Sequence, residues 1–76
     1  MKEHLLFMAK KLVENPDAVT VIQTTREDGT VLELRVAEGD MGKVIGRQGR
    51  IAKDIRTIIK TVAQRTGEKV TVEIVD

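Results

Sequence analysis

A two-layer α+β sandwich with the element order αββααβ is predicted by three observations in this 76-residue chain. The apolar residues recur at helical spacing, then alternate, then return to helical spacing, and alternate once more at the end. An Asp28-Gly29 pair separates two runs rich in Val, Ile, Leu and Thr, as in a tight hairpin. Two glycines three apart, Gly46 and Gly49, divide the second helical region into a short and a long piece. A length of 76 residues fits one domain, expected over positions 1–76, with a modest core.

The first helix is expected over Lys2 to Glu14. Leu5, Met8, Ala9, Leu12 and Val13 form one stripe, with Lys10, Lys11 and Glu14 turned elsewhere. On this helix His4 is expected to face solvent, and Phe7 and Met8 to pack. Pro16 pushes Asn15 out of helical angles, so Asn15-Pro16-Asp17 reads as a turn. Strands follow from Val19 to Arg26 and from Val31 to Ala37. With Asp28-Gly29 as the two-residue turn, Glu27 faces Thr30, Thr25 faces Leu32, Gln23 faces Leu34 and Val21 faces Val36. That face is assigned to the core. The other carries Thr24, Arg26, Glu33 and Arg35 and is assigned to water, with Ile22 stranded on it.

Asp40 is placed to cap a short helix from Met41 to Ile45, which Gly46 ends in the left-handed α region. The long helix begins near Gly49-Arg50, carries Ile51, Ile55, Ile58, Ile59 and Val62 on one broad face, and is ended by Gly67. Lys69 to Asp76 alternates Val70, Val72 and Ile74 with Thr71 and Glu73, a third strand. Two helices join the second strand to the third, so those two can run parallel, while the hairpin adds the first antiparallel. The result is a three-stranded mixed sheet with three helices on its apolar face.

Composition excludes several classes. Forty-one per cent hydrophobic and 33% charged residues argue against disorder. Without cysteine there is no disulfide framework and no thiolate metal site, and a reducing, cytoplasmic setting is the expectation. No apolar run approaches the ~20 residues of a membrane span, and Leu5-Leu6-Phe7-Met8, followed by Lys10 and Lys11, is too short for a signal peptide.

Net charge is only +1, but its distribution is lopsided. From Lys43 to Lys60 the basic residues Lys43, Arg47, Arg50, Lys53, Arg56 and Lys60 meet one acid, Asp54, so the segment carries +5 and the remainder −4. Positive potential gathered in this way is the footprint of a phosphate-binding face, although a solvated helix surface gives the same pattern. The spacing of Gly46 and Gly49 adds chemistry to the charge. Glycine lets a backbone turn sharply and approach a phosphate, and the N–H groups at the start of the next helix favour an anion. Arg47, Arg50 and Lys53 lie beside that spot. Two glycines can also mark a helix–helix turn and nothing more.

The stretch Gly42-Lys43-Val44-Ile45-Gly46-Arg47-Gln48-Gly49-Arg50-Ile51-Ala52-Lys53 resembles the KH signature, in which Val-Ile-Gly-x-x-Gly joins two helices and clamps about four nucleotides of backbone. The helix and hairpin ahead of it and the strand behind it look like the type II arrangement of bacterial KH domains. Nearly the whole chain, including Gly-Arg-Ile-Ala-Lys-Asp-Ile-Arg at 49–56, is similar to the KhpA family of free-standing bacterial KH proteins. The resemblance implies a groove between the two helices and the third strand. In it Gly46, Arg47, Gln48 and Gly49 would hold phosphates, Lys43, Arg50 and Lys53 would flank them, and Val44, Ile45 and Ile51 would contact bases or support the groove. It also implies a homodimer, or pairing with a larger KhpB-like KH protein, and an RNA-chaperone-like regulatory role tied to cell envelope and cell shape. Ala52 departs from the wider pattern, where many KH domains place a larger aliphatic residue, so a shallower groove is expected.

With Phe7 as the one aromatic residue, stacking on aromatic platforms is largely closed to this chain, and recognition must rest on backbone, charge and aliphatic contact. An enzymatic reading finds no support. Position 37 is Ala where a Walker loop needs Gly, Gly42-Lys43 is followed by Val44 where it needs Ser or Thr, and Val44 also stands where a dinucleotide loop needs its second Gly. No nucleophile, base or metal set can be named, and no cofactor, small-molecule substrate or membrane partner is expected. The rival reading is a protein-interaction module, for example a ribosome-associated assembly factor, whose basic loop is incidental.

Overall fold

The computed structural model describes residues 1–75, so Asp76, assigned from sequence to the last strand, lies outside the described residues. Six principal elements follow in the expected order. Helix α1 is Lys2–Leu12, strands β1 and β2 are Thr20–Arg26 and Gly29–Arg35, helices α2 and α3 are Met41–Ile45 and Arg50–Arg65, and strand β3 is Val70–Ile74. Short 3₁₀ turns occupy Pro16–Ala18, Glu38–Asp40 and Arg47–Gly49. The sheet order is β1-β2-β3, with β1 antiparallel and β3 parallel to β2, the mixed sheet of an α+β, type II KH architecture.

The core lies between this sheet and the helices. Val21, Leu32, Leu34 and Val72 from the sheet meet Leu5 and Ala9 of α1 and Ile55 and Ile59 of α3. On α3 the buried stripe also takes in Ala52 and Ala63, beyond the face predicted from Ile51, Ile55, Ile58, Ile59 and Val62, while Ile58 on that face is 45% exposed. The stripe advances by three and four residues, and its small members let neighbouring elements approach the helix. Leu12 is likewise 38% exposed, and it lines a shallow apolar depression with Met8, Ile51 and Ile58. Phe7 does not pack as expected. It stands two residues from buried Leu5, about 200° around the helix, and is 63% exposed with the Lys11 ammonium 4.7 Å from its ring centre.

The hairpin register differs from the predicted one by two residues. Val21 pairs with Leu34, Gln23 with Leu32 and Arg26 with Gly29, so the turn residues are Glu27 and Asp28. Neither has positive φ, whereas Gly29, the first residue of β2, has φ 141°. A Cβ on Gly29 would lie 2.8 Å from the carbonyl oxygen of Lys69, where β3 begins. The glycine therefore serves close approach between strands more than the turn itself. Because the shift is even, every side chain keeps its face. Val21, Leu32 and Leu34 are buried as expected, Gln23 and Thr25 run past the helices into water, and Ile22 stands exposed on the open face.

Helix α1 stops at Leu12, two residues short of its predicted end, and Val13 is already extended with ψ 160°. The next two N–H groups, of Glu14 and Asn15, donate to the side chain of Asp40 instead of to helix carbonyls. Helix α3 ends as expected at Gly67, φ 74°. The Glu68 N–H bonds the Ala63 carbonyl and the Gly67 N–H bonds the Gln64 carbonyl, a Schellman closure.

Candidate nucleic-acid interface

The loop from Gly46 to Gly49 is held by backbone conformations that most residues avoid. Gly46 ends α2 with φ 77° and ψ 176°, an extended left-hand conformation and not the αL cap predicted from sequence. Only glycine occupies that region readily. A Cβ there would also fall 2.6 Å from Ile51 Cγ1, because the Ile51 side chain covers Gly46 from the first turn of α3. Gln48 follows at φ 57° and ψ 25°, the single non-glycine residue with positive φ among the described residues, and Gly49 at φ 75° and ψ 14° is αL with open space around it. Such conformations persist where the surroundings impose them, and they concentrate at ligand-holding loops.

The bonds inside the loop leave its tip available. Gly46 N–H donates to the Gly42 carbonyl at 2.9 Å, Gly49 N–H to the Gly46 carbonyl at 3.2 Å, and Arg50 N–H to the Arg47 carbonyl. The N–H groups of Arg47 and Gln48 meet no backbone acceptor among the described residues. Arg47, Gln48, Arg50 and Lys53 are exposed around them. Two N–H groups without a backbone acceptor, beside three cations, can hold an anion.

Of the ten predicted site residues, the structure brings eight to this loop and its shoulders and places two apart. Val44 is fully buried, so it supports the loop and touches nothing outside, and Ile51 is half-buried between the loop and the core. Ile45, 36% exposed, stands at the edge of α2. Lys43 leans away, its Nζ 3.6 Å from Asp40 Oδ1 and 3.8 Å from Glu14 Oε1. These are the only ion pairs among the described residues, so Arg47, Arg50, Lys53, Arg56 and Lys60 carry uncompensated charge.

Along α3 the positions of Lys53, Arg56 and Lys60 fall on one stripe, which faces β3. Arg56 Nε donates to the Val72 carbonyl at 3.3 Å, and a groove lined by Arg56, Lys60, Val70 and Thr71 runs between helix and strand. Arg56 was not among the predicted site residues, and its place in the basic run was the available signal. Asp40 stands at the N-cap position of α2 as expected, yet its side chain makes no cap bond and is instead the buried clamp on α1's end. Its carboxyl sits below the ordinary aspartate range: burial pushes it up, but the N–H groups of Asn15 and Glu14 and the Lys43 charge outweigh that.

The family described as KhpA/KhpB, KH domain, matches residues 2–74. The RNA-binding protein KhpA of Clostridium acetobutylicum is 55% identical over 75 residues, covering 99% of this chain and all of that one. Its namesake from Aquifex aeolicus is 42% identical over 76 residues, covering all of this chain and 96% of that one. Among solved structures, the crystal structure of Aquifex aeolicus Era bound to GDP and aluminium fluoride superposes with a TM-score of 0.64 over 96% of this chain. At 21% identity, and with 28% of the Era chain covered, that likeness shows the fold alone.

Proposed function

The chain belongs to the KhpA/KhpB KH-domain family, which is not enzymatic, and from that premise we propose that it binds single-stranded RNA through the Gly46–Gly49 loop. The observation that carries the reading is the loop itself. Two N–H groups without a backbone acceptor stand at its tip beside Arg47, Arg50 and Lys53, none of them ion-paired among the described residues. A phosphate seated there accepts from the backbone while the cations balance its charge. Gly46 and Gly49 supply the curvature, Ile45 and Ile51 shape the apolar wall beside it, and buried Val44 supports the loop from beneath. The stripe of Lys53, Arg56 and Lys60 carries the strand onward beside β3.

The finer reading is an RNA-chaperone-like regulator in the cytoplasm that works as a homodimer or with a larger KhpB-like KH protein, in processes of cell envelope and shape. One loop without aromatic platforms binds weakly, so a second copy of the site adds avidity. The apolar depression of Met8, Leu12, Ile51 and Ile58 offers a surface for such pairing. It equally favours the rival, a protein-interaction module with an incidental basic loop.

Competition for a labelled single strand separates the two. Unlabelled single-stranded RNA is expected to displace the label at roughly tenfold lower concentration than a perfect duplex, because the loop tracks one backbone. Equal displacement by duplex, or no binding of the labelled strand, counts against the proposal.

A further inference from the structure

Asp40 is the one buried charged side chain among the described residues, 4% exposed. A carboxylate leaves water only where other donors replace its hydration. Those donors are the N–H of Glu14 on Oδ1 at 3.3 Å and the N–H of Asn15 on Oδ2 at 3.0 Å, from a part of the chain 25 and 26 residues earlier. Lys43 Nζ stands 3.6 Å from Oδ1 and balances the charge. The carboxylate thus ties the end of α1 to the start of α2.

Helix α2 has five residues, too few to persist alone, and its far end is Gly46. Whatever fixes the first residue of so short a rod fixes the loop at its other end. We infer that Asp40 is a positioning residue for the Gly46–Gly49 loop, and that Lys43 is its countercharge and not a phosphate ligand. The inference builds on the RNA-binding reading, but part of its test needs no RNA.

The sign of one effect separates positioning from plain electrostatics. Replacing Asp40 by Asn removes a negative charge close to a phosphate-binding loop, and by Coulomb's law alone RNA should then bind more tightly. A positioning role predicts the reverse. Asn offers one acceptor where two are used, and turns an NH₂ toward a backbone N–H, so the tie loosens while the side-chain volume stays the same.

The experiment measures amide hydrogen exchange by NMR on free Asp40→Asn and on the parent, then titrates both with a short uridine-rich single strand. The Gly46 and Gly49 amides, bonded to the Gly42 and Gly46 carbonyls, should exchange roughly tenfold faster in the variant. The Thr30 and Val75 amides at the sheet should stay within about twofold. RNA affinity should fall roughly tenfold although the variant is more positive. Lys43→Gln should raise loop exchange the same way by less, and its exchange decides the matter if Asp40→Asn does not fold; its affinity does not, because losing a cation weakens RNA binding by charge alone. Loop exchange that rises no more than sheet exchange overturns the inference. So does undiminished or tighter RNA binding by a folded Asp40→Asn. If the parent binds no RNA, the functional reading fails on its own and the exchange data still decide the positioning.

Discussion

Two of the chain's turns around glycines at positive φ, one at Glu27-Asp28-Gly29 and one at Gly46-Arg47-Gln48-Gly49, are built for opposite ends. At the hairpin, Gly29 is pinned under the Lys69 carbonyl and the turn residues before it, Glu27 and Asp28, are acids, so the space is closed to an anion. At the loop, a Cβ on Gly49 would meet nothing within 4 Å, and Arg47 and Arg50 lie beside it. Positive φ marks a bend in each case. Between these two turns the difference is that the hairpin has already filled the space the missing Cβ opens; open space alone does not mark a binding bend, since a Cβ on Gly67, which closes α3, would also meet nothing within 4 Å. Gly46 combines the two, because its inner side is filled by Ile51 and its outer side leads to the open tip.

Alanine at each glycine sharpens the comparison. Gly29→Ala meets backbone oxygen, which cannot rotate aside, and should cost roughly 2–4 kcal/mol from strained φ and overpacking together. For a domain of this size that lowers the melting temperature by roughly 10–25 °C. Below that temperature RNA affinity should be unchanged; a loss of binding by the folded variant would mean that the hairpin belongs to the site. Gly46→Ala must push Ile51 aside and should cost roughly 2–3 kcal/mol. It should weaken RNA binding as well, since the loop shifts with it, and a calorimetric scan beside a titration checks both. Gly49→Ala faces empty space and bears only the αL penalty, about 1 kcal/mol. A cost as large as that at Gly29 would contradict the open geometry assigned to it.

The smallest effect is a dependence on pH. Asp40 has its carboxyl below the ordinary range in the fold, so its share of stability is present above the unfolded aspartate value, about 3.9, and is lost as pH falls through the lower folded value. Urea unfolding of the parent and Asp40→Asn should therefore differ by a constant amount from neutral pH down to about 5 and converge below about 4. A gap that persists unchanged into strong acid would mean that the charge on Asp40 contributes nothing.

Much of this was legible in the sequence because it is local. Pro16 marks the turn after α1, alternation places Val70, Val72 and Ile74 on a strand, and the spacing of Gly46 and Gly49 splits the helical region at the observed place. The stranded Ile22 was a true reading, since that side chain is 49% exposed. What could not be read depends on residues far apart in the chain. The register slipped by two because Gly29 answers to Lys69, forty residues on, and not to its neighbours alone. The resemblance counts Lys43 with the phosphate flank, and its contact with Glu14 at 3.8 Å likewise joins residues far apart, beside buried Asp40 at 3.6 Å. Helix α1 ends early for the same reason, because Asp40 takes the two N–H groups that would have continued it.

The most direct test of the loop replaces Arg47 and Gln48 together by Asp. Both glycines remain to make the turn, and aspartate is among the residues that tolerate the left-handed conformation of Gln48. Two acids just before a helix amino terminus are favoured by its dipole by about 0.3 to 1 kcal/mol each, so circular dichroism and the melting temperature should barely move. Like charge facing phosphate costs on the order of a kcal/mol or more per contact, so affinity for single-stranded RNA should fall by roughly a hundredfold. A folded double variant that binds single-stranded RNA as tightly as the parent would contradict the assignment of the loop as the binding site.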